Sequence, residues 1–227
     1  MLESLLNFIQ QKYEQPVPSA EKRLNTEEIR GLLDSKRTKD LDRRTGLIAV
    51  HPKGSSLNEA GFIPKLIQVS NKLDVTPEQL LGAISLETKG TFRPDIKNKF
   101  SSASGLIQIL DSTAKELGTT TDKIRKMSGT EQLDIVEKFL LKSKKKFPKT
   151  GATNSDVYMA IFRPASVGKS ENSVLYRKGG KRYKVNKSLD PDNLGYITKR
   201  MAGQIMTPHI NKAKKILSEY KQRKSPP

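Results

Sequence analysis

Glu87 closes the segment 76-TPEQLLGAISLET-88, and the small residues and glutamine of 102-SASGLIQIL-110 follow shortly after it. A carboxylate at a helix end, facing a loop of this kind, is what glycoside chemistry uses. Protonated, such a group can act as a general acid. Burial and the negative end of a helix dipole both favour the protonated form of a carboxylate, the form a general acid needs near neutral pH. Taken alone, Glu87 reads as an ordinary polar residue at a helix end, as most glutamates are. A hydrolase would need a second carboxylate to orient water, roughly 5 to 10 Å away depending on stereochemistry. Asp95, which follows a proline in a turn, and Asp111, where a helix cap belongs, are the candidates. Each has that local role to fill instead. Lys89 is an awkward neighbour for an acid, and its ammonium is expected to point into solvent.

Composition closes other routes. The chain has no cysteine and only His51 and His209, which excludes disulfides, zinc–thiolate sites and Cys/His nucleophile schemes. Zinc amidases and zinc endopeptidases need more histidines than this, and His209 reads as structural. The pattern 190-DPDNLGYITKRM-201 places Asp190, Asp192, Gly195 and Ile197 at calcium-loop positions one, three, six and eight. Leu194 and Met201 stand where ligands belong at positions five and twelve, so it reads as a turn. No metal and no cofactor is expected.

The elements that must position Glu87 follow from local signals. Thr76 caps a helix, Pro77 suits its first turn, and Gln79 completes a capping box. Leu80, Ala83, Ile84 and Glu87 then share one face, which predicts a stripe turned toward the protein. Gly90 and Pro94 break the helix, residues 95–105 read as a polar loop, and a short helix runs from Asp111 or Ser112 through Leu117 to Gly118. Two further helices are expected. Phe62, Leu66, Val69 and Leu73 share a face in one, and Leu133, Val136 and Leu140 in the other. Residues 170–195 read as a loop or short hairpin, and 197–222 as a last long helix. Alternation at strand period is sparse, so the chain is expected to be mainly α.

Several pieces in order carry a family resemblance. They are Glu87-Thr88, Gly90, Phe92 and Pro94, then Ser104-Gly105-Leu106-Ile107-Gln108-Ile109, then Ser112-Thr113-Ala114 and Leu117-Gly118. Over about residues 60–170 the chain resembles the superfamily of soluble lytic transglycosylases and goose-type lysozymes. The resemblance implies a lysozyme-like helical domain in which one glutamate, here Glu87, cleaves the MurNAc-GlcNAc β-1,4 bond of peptidoglycan. The product would be a 1,6-anhydro-muramyl end. It also implies that Thr88 and the segment Ser104, Gly105, Leu106, Ile107 and Gln108 line the sugar cleft, although Leu106 and Ile109, alternating apolar residues beside a short helix, read more readily as core. The family's last motif presents a tyrosine and an asparagine close to the glutamate. This chain has Phe162-Arg163-Pro164 there, so the hydroxyl is missing, and Phe162 and Arg163 are carried as cleft residues. Tyr158, one turn earlier, either replaces that hydroxyl or belongs to the core, and the core is the favoured reading.

Charge and organisation bound the partners. The 227 residues carry a net charge of +18. Residues 141–227 hold 21 Lys/Arg against 5 Asp/Glu, while the two preceding stretches, 1–60 and 61–140, are each near balance. Such a basic surface implies a polyanion. Bacterial peptidoglycan with its anionic wall polymers fits best. Nucleic acid is the weaker candidate, because Tyr176 and Tyr183 alone interleave the charge and no nucleic-acid motif is present. The run Lys212 to Lys224 reads as a solvated helix face. No apolar run approaches the length of a membrane span. The start, 1-MLESLLNFIQQKY-13, has Leu2, Leu5, Leu6 and Ile9 at helical spacing, and it lacks a basic leader and a small-residue cleavage site. It reads as an amphipathic helix and not as a signal peptide. The expected organisation is a helical and polar arm over 1–58 that attaches to other virion proteins, then the lysozyme-like domain over 59–227 with a basic extension. The setting that fits is a phage virion, or the host cell at lysis. A lysozyme-type hydrolase on the same fold, and a non-catalytic virion protein that binds a polyanion, are the competing readings.

Overall fold

The computed structural model describes residues 51–224. The leading amphipathic helix and most of the arm expected over 1–58 lie outside the described residues. In chain order the helices are α1 (Phe62–Leu73), α2 (Pro77–Glu87), α3 (Asp111–Glu116), α4 (Thr121–Lys126), α5 (Gly129–Lys144), α6 (Asn154–Phe162), α7 (Lys181–Val185), α8 (Lys199–Gly203) and α9 (Met206–Lys224). Strands β1 (Val174–Arg177) and β2 (Tyr196–Thr198) form an antiparallel pair. The described chain is mainly helical. No described helix is long and apolar enough to cross a membrane.

Residues that repeat at helical spacing do become the core. Phe62, Leu66, Val69 and Leu73 of α1 and Leu133, Val136 and Leu140 of α5 are buried where these two helices pack together. Ser128 and Glu131 form a capping box at the start of α5. The Glu59 carboxylate accepts hydrogen bonds there from the Gly129 and Thr130 amides, both at 2.8 Å, so an anion sits at the positive end of the helix. The short 3-10 turn Ser56–Asn58 belongs to the same packed unit, since Leu57 is part of the core.

Helix α2 begins as its capping residues dictate. The Thr76 hydroxyl accepts from the Gln79 amide at 3.2 Å, and the Gln79 side-chain oxygen accepts from the Thr76 amide at 2.8 Å. Its burial differs from the single stripe the spacing predicts: every residue from Gln79 to Glu87 is buried. Helices α1, α6 and α9 all pack on it, so it is the central rod of the fold and is apolar nearly all round. Gly82 makes the closest approach work. A Cβ there would lie 2.9 Å from Ile210 Cγ1 and 3.3 Å from Ile210 Cα, so the backbones of α2 and α9 meet where no side chain fits.

Three expectations are corrected. The segment 197–222 is not one helix: β2 runs to Thr198, α8 ends at Gly203, and α9 starts afresh at Met206. Thr198 opens α8 with a capping-box geometry toward Met201. Pro208 has no N–H to give to an earlier turn, so the helix restarts just before it, where a proline is tolerated. The hairpin extends past residue 195, because its second strand is Tyr196–Thr198, and α7 and a 3-10 turn fill the span between the strands. Asp111 is the first residue of α3 and not its cap. Its Oδ1 accepts from the Thr121 hydroxyl, and the cap position is held by Leu110.

A buried ion pair joins α6 to α8. Lys199 is 1% exposed, and its ammonium lies 2.6 Å from Asp156 Oδ1 and 2.7 Å from the Lys169 carbonyl, with Glu171 Oε1 at 3.5 Å. The other contacts of Asp156 are the Gly168 amide at 2.8 Å and the Thr153 amide and hydroxyl at 3.1 and 2.9 Å. Nearby, a Cβ on Gly203 would collide with the Ser155 side chain, so α8 lies directly against the start of α6.

Candidate active site

Glu87 is the last residue of α2 and is 6% exposed. The chain turns off the helix immediately after it. The Gly90 amide donates back to the Ser85 carbonyl at 2.6 Å, a Schellman-type closure that leaves Lys89 in the left-handed region with φ of 52°. Glycine is the usual occupant of that position, and Lys89 holds it while staying exposed. Its side chain is thus on the solvent side, as its sequence context leads one to expect. The Thr88 hydroxyl donates to the Ile84 carbonyl at 2.7 Å and accepts from the Phe92 amide at 3.0 Å. Both bonds stiffen the turn from within. From outside, the α9 residue Lys212 donates to the Gly90 carbonyl at 2.9 Å and sits 5.2 Å from the Phe92 ring centroid.

The second half of the site is a tight double turn. The Ser104 amide donates to the Ile109 carbonyl at 3.0 Å and the Ile109 amide to the Ser104 carbonyl at 2.8 Å. Within this loop Gln108 takes φ of 53°, and its side-chain amide donates to the Gly105 carbonyl at 3.0 Å. Gly105 is required twice over: its φ is 80°, and a Cβ would lie 2.5 Å from Gln132 Oε1 and 2.8 Å from Ile124 Cγ2.

Gln132 ties the two halves together. From inside α5, nearly fully buried, it accepts from the Leu106 amide at 2.9 Å and donates to the Pro94 and Ile124 carbonyls, each at 2.7 Å. The Gly105 amide adds a bond to the Ile96 carbonyl at 2.9 Å. The Pro94 carbonyl, just past the turn that leaves Glu87, and the Gly105–Gln108 turn are thereby fixed against one side chain. The sequence reading passed over Gln132, though its place was visible: it lies four positions before Val136 on the apolar face of a helix, where a polar side chain needs buried partners. Gln132→Ala is expected to lower the unfolding free energy by about 2–3 kcal/mol, because it strands a buried amide and buried carbonyls. An unchanged denaturation midpoint would show that the clamp carries nothing.

The proposed cleft residues separate by burial. Thr88, Ser104, Gly105, Leu106 and Ile107 are buried, whereas Gln108, Phe162 and Arg163 are half-buried. Ser104 donates to the Ser102 carbonyl at 3.0 Å and accepts from Arg125 at 3.0 Å. Thus Gln108 is the one side chain of the 104–108 turn that reaches the surface, while the others shape the backbone beneath it. Phe162 and Arg163 turn toward the hairpin. Phe162 stacks on Tyr158 at 5.1 Å and meets Tyr176 edge-on at 6.4 Å, and the Arg163 guanidinium lies 5.2 Å from the Tyr176 ring centroid. Tyr158 is buried among core residues, in line with its favoured reading. Gln79 links the starts of α2 and α6 by donating to the Ala152 carbonyl at 2.9 Å and to Asn154 Oδ1 at 3.1 Å. Glu87 and Phe162 are the last residues of these two packed helices.

The other acids and His209 have local work. Asp95 is exposed and takes a two-pronged hydrogen bond from Arg93, which holds its carboxyl below the ordinary value. Asp111 receives the Thr121 hydroxyl. Asp190 accepts from the Tyr183 hydroxyl at 2.6 Å and from the Leu194 and Gly195 amides at 2.9 Å, so hydrogens point at its oxygens from three sides. These bonds close the turn that the sequence predicts there. His209 Nδ1 lies 3.0 Å from the buried Ser85 hydroxyl and so joins α9 to α2, two residues from Glu87.

Backbone strain concentrates around this region. Lys89, Phe92 and Gln108 all have positive φ, near 50–56°. Asp74 and Asn193 share that conformation elsewhere, but their short polar side chains tolerate it, whereas a bulky Phe92 does so only when its surroundings impose it. Strain of this sort marks binding and catalytic segments more often than structural ones. Lys89→Gly is expected to raise stability by about 1 kcal/mol by relieving the left-handed lysine, a gain that chemical denaturation would reveal. Compared with protein-family models and with curated proteins, the chain matches none. The family resemblance rests on the residues themselves.

Proposed function

We propose that the chain is a peptidoglycan lytic transglycosylase with Glu87 as its single acid and base. The observation that carries this reading is a buried carboxylate at the end of the central helix. It is followed at once by a strained turn, and Gln132 ties the Pro94 carbonyl just beyond that turn to the Gly105–Gln108 loop. Catalytic groups need such prior fixation, since their geometry must not relax during the reaction. Protonated Glu87 gives its proton to the oxygen linking MurNAc C1 to GlcNAc, and the C1–O bond breaks. The resulting carboxylate takes the proton of the MurNAc C6 hydroxyl as that oxygen bonds to C1, closing the 1,6-anhydro ring. Glu87 ends protonated, ready for the next bond.

The competing hydrolase needs a second carboxylate to orient water. Asp95 is tied to Arg93 and Asp111 to Thr121, which favours the single-carboxylate route. Gln108 contacts the sugar, Phe162 and Arg163 border the cleft, and the lysozyme-like fold is part of the same proposal. The basic surface of residues 141–224 attracts the anionic wall, a virion or lysis setting follows from that substrate, and residues 1–58 attach the enzyme to virion proteins. Mass spectrometry of muropeptides released from purified walls tests the reading. Anhydro-muramyl ends are expected, and free reducing ends alone would replace the transglycosylase by the hydrolase.

A further inference from the structure

A cavity of about 410 Å³ opens beside the hairpin, lined by Lys178, Gly179, Tyr183, Lys184, Lys187 and Asn193. Its charge is one-sided. The stretch 177–187 holds Arg177, Lys178, Lys181, Arg182, Lys184 and Lys187 with no acidic residue, all six are exposed, and none is in a salt bridge with another described residue. Two acids follow this stretch, the exposed Asp192 and the buried Asp190. Burial pushes the Asp190 carboxyl up, but the Tyr183 hydroxyl, the Leu194 and Gly195 amides and the charge of Lys187 together hold it below its ordinary value. The six basic side chains of the stretch outnumber these two carboxylates, so the positive charge remains in excess.

We propose that this pocket binds phosphate, and that on the wall its occupant is a phosphodiester unit of a polyol-phosphate polymer, an assignment of polymer that rests on the wall-cleaving reading above. Three lysines and no arginine are among the residues that line the cavity. A lysine ammonium is a compact point charge with three donors, and lysines grouped around one cavity suit a phosphate, whose oxygens accept from several directions. The volume fits one small repeating unit. Arg177, Lys181 and Arg182, adjacent in sequence and exposed, continue the charge for the neighbouring phosphates of a polymer. A nucleic acid would also want a ring face for its bases. Tyr183 offers none, being 5% exposed with its hydroxyl committed to Asp190.

The test is calorimetric titration of the full chain with poly(glycerol phosphate) at fixed salt. The triple variant Lys178→Gln, Lys184→Gln, Lys187→Gln is expected to bind at least about tenfold more weakly, and inorganic phosphate is expected to compete with the polymer on the unmodified protein. Lys184→Glu alone, at an exposed position, serves as a second variant and is expected to weaken binding in the same direction. A control triple with the same loss of charge, Lys138→Gln, Lys214→Gln, Lys215→Gln, is expected to change affinity by less than about twofold. An equal loss in the control would overturn the pocket, because the attraction would then be diffuse. Duplex DNA that binds more tightly than the polymer, and is displaced by it, would assign the pocket to nucleic acid and overturn the wall polymer. Cleavage is read separately on walls stripped of polymer. If the unmodified protein fails to cut them while polymer binding stands, the glycosidase reading falls and the phosphate pocket remains.

Discussion

Glu87→Gln is expected to slow cleavage of purified walls by about 100- to 10,000-fold, the range that a positioned general acid and base supplies. Glutamine keeps the size of the side chain and removes the transferable proton, so wall binding in a pull-down and the unfolding midpoint are both expected to stay close to those of the unmodified protein. The position makes the result informative. Glu87 is buried at the point where α2 stops, and the turn after it is closed by the bond from Gly90 to Ser85. A lysis rate unchanged in Glu87→Gln would remove this residue from the mechanism. The third reading, a polyanion-binding virion protein that keeps the fold, would then take its place.

The largest effect on stability is expected far from that carboxylate. Lys199→Met leaves Asp156 buried without its cation, and breaking a buried pair from one side costs about 3–5 kcal/mol. For a domain of this size the melting temperature would fall by roughly 6–20 °C. Burial alone pushes the Asp156 carboxyl up, yet hydrogen bonds from Lys199, Gly168 and Thr153 outweigh it and hold the group below its ordinary value of 3.8. A carboxylate whose folded-state pKa is depressed contributes stability that is fully present above the unfolded value. That stability is lost as the pH falls through the lower folded value. Unfolding free energy is therefore expected to decline below about pH 4 in the unmodified protein, and less steeply in Lys199→Met. Parallel acid profiles for the two proteins would show that the pair does not set the acid limit.

What the sequence made legible was local. Thr76, Pro77 and Gln79 fix the start of α2 because a capping box acts within four residues, and the apolar repeats in α1 and α5 announce their buried faces directly. What stayed hidden was long-range. Lys199 lies 43 positions from Asp156, and in sequence it is one more lysine in a lysine-rich third. Gln132 reaches Pro94 across 38 positions, and no spacing rule connects them. The single-stripe reading of α2 failed for the same reason: periodicity sees one face, and only the later α6 and α9 decide that the other faces are covered as well. At the candidate site, the order of Glu87, Gly90, Gly105 and Gln108 was readable. The core reading of Leu106 and Ile109 was also available from their alternation beside a short helix. The burial of Ser104 and Ile107, which leaves Gln108 as the accessible side chain of that turn, was not, because a run of small and apolar residues looks the same on a cleft wall and beneath it.

The close crossing of α2 by α9 also sets a timetable. Ser85 and His209, the pair that joins these helices, are 124 positions apart. At about 5–20 residues per second, a ribosome needs roughly 6 to 25 s to make the cover after the rod. Throughout that interval Leu80, Leu81 and Ile84 belong to a helix whose largest partner does not yet exist, and chaperones have their opportunity there. A translation product that stops before Met206 would carry the whole Glu87-bearing helix but lack the largest of the surfaces that bury it.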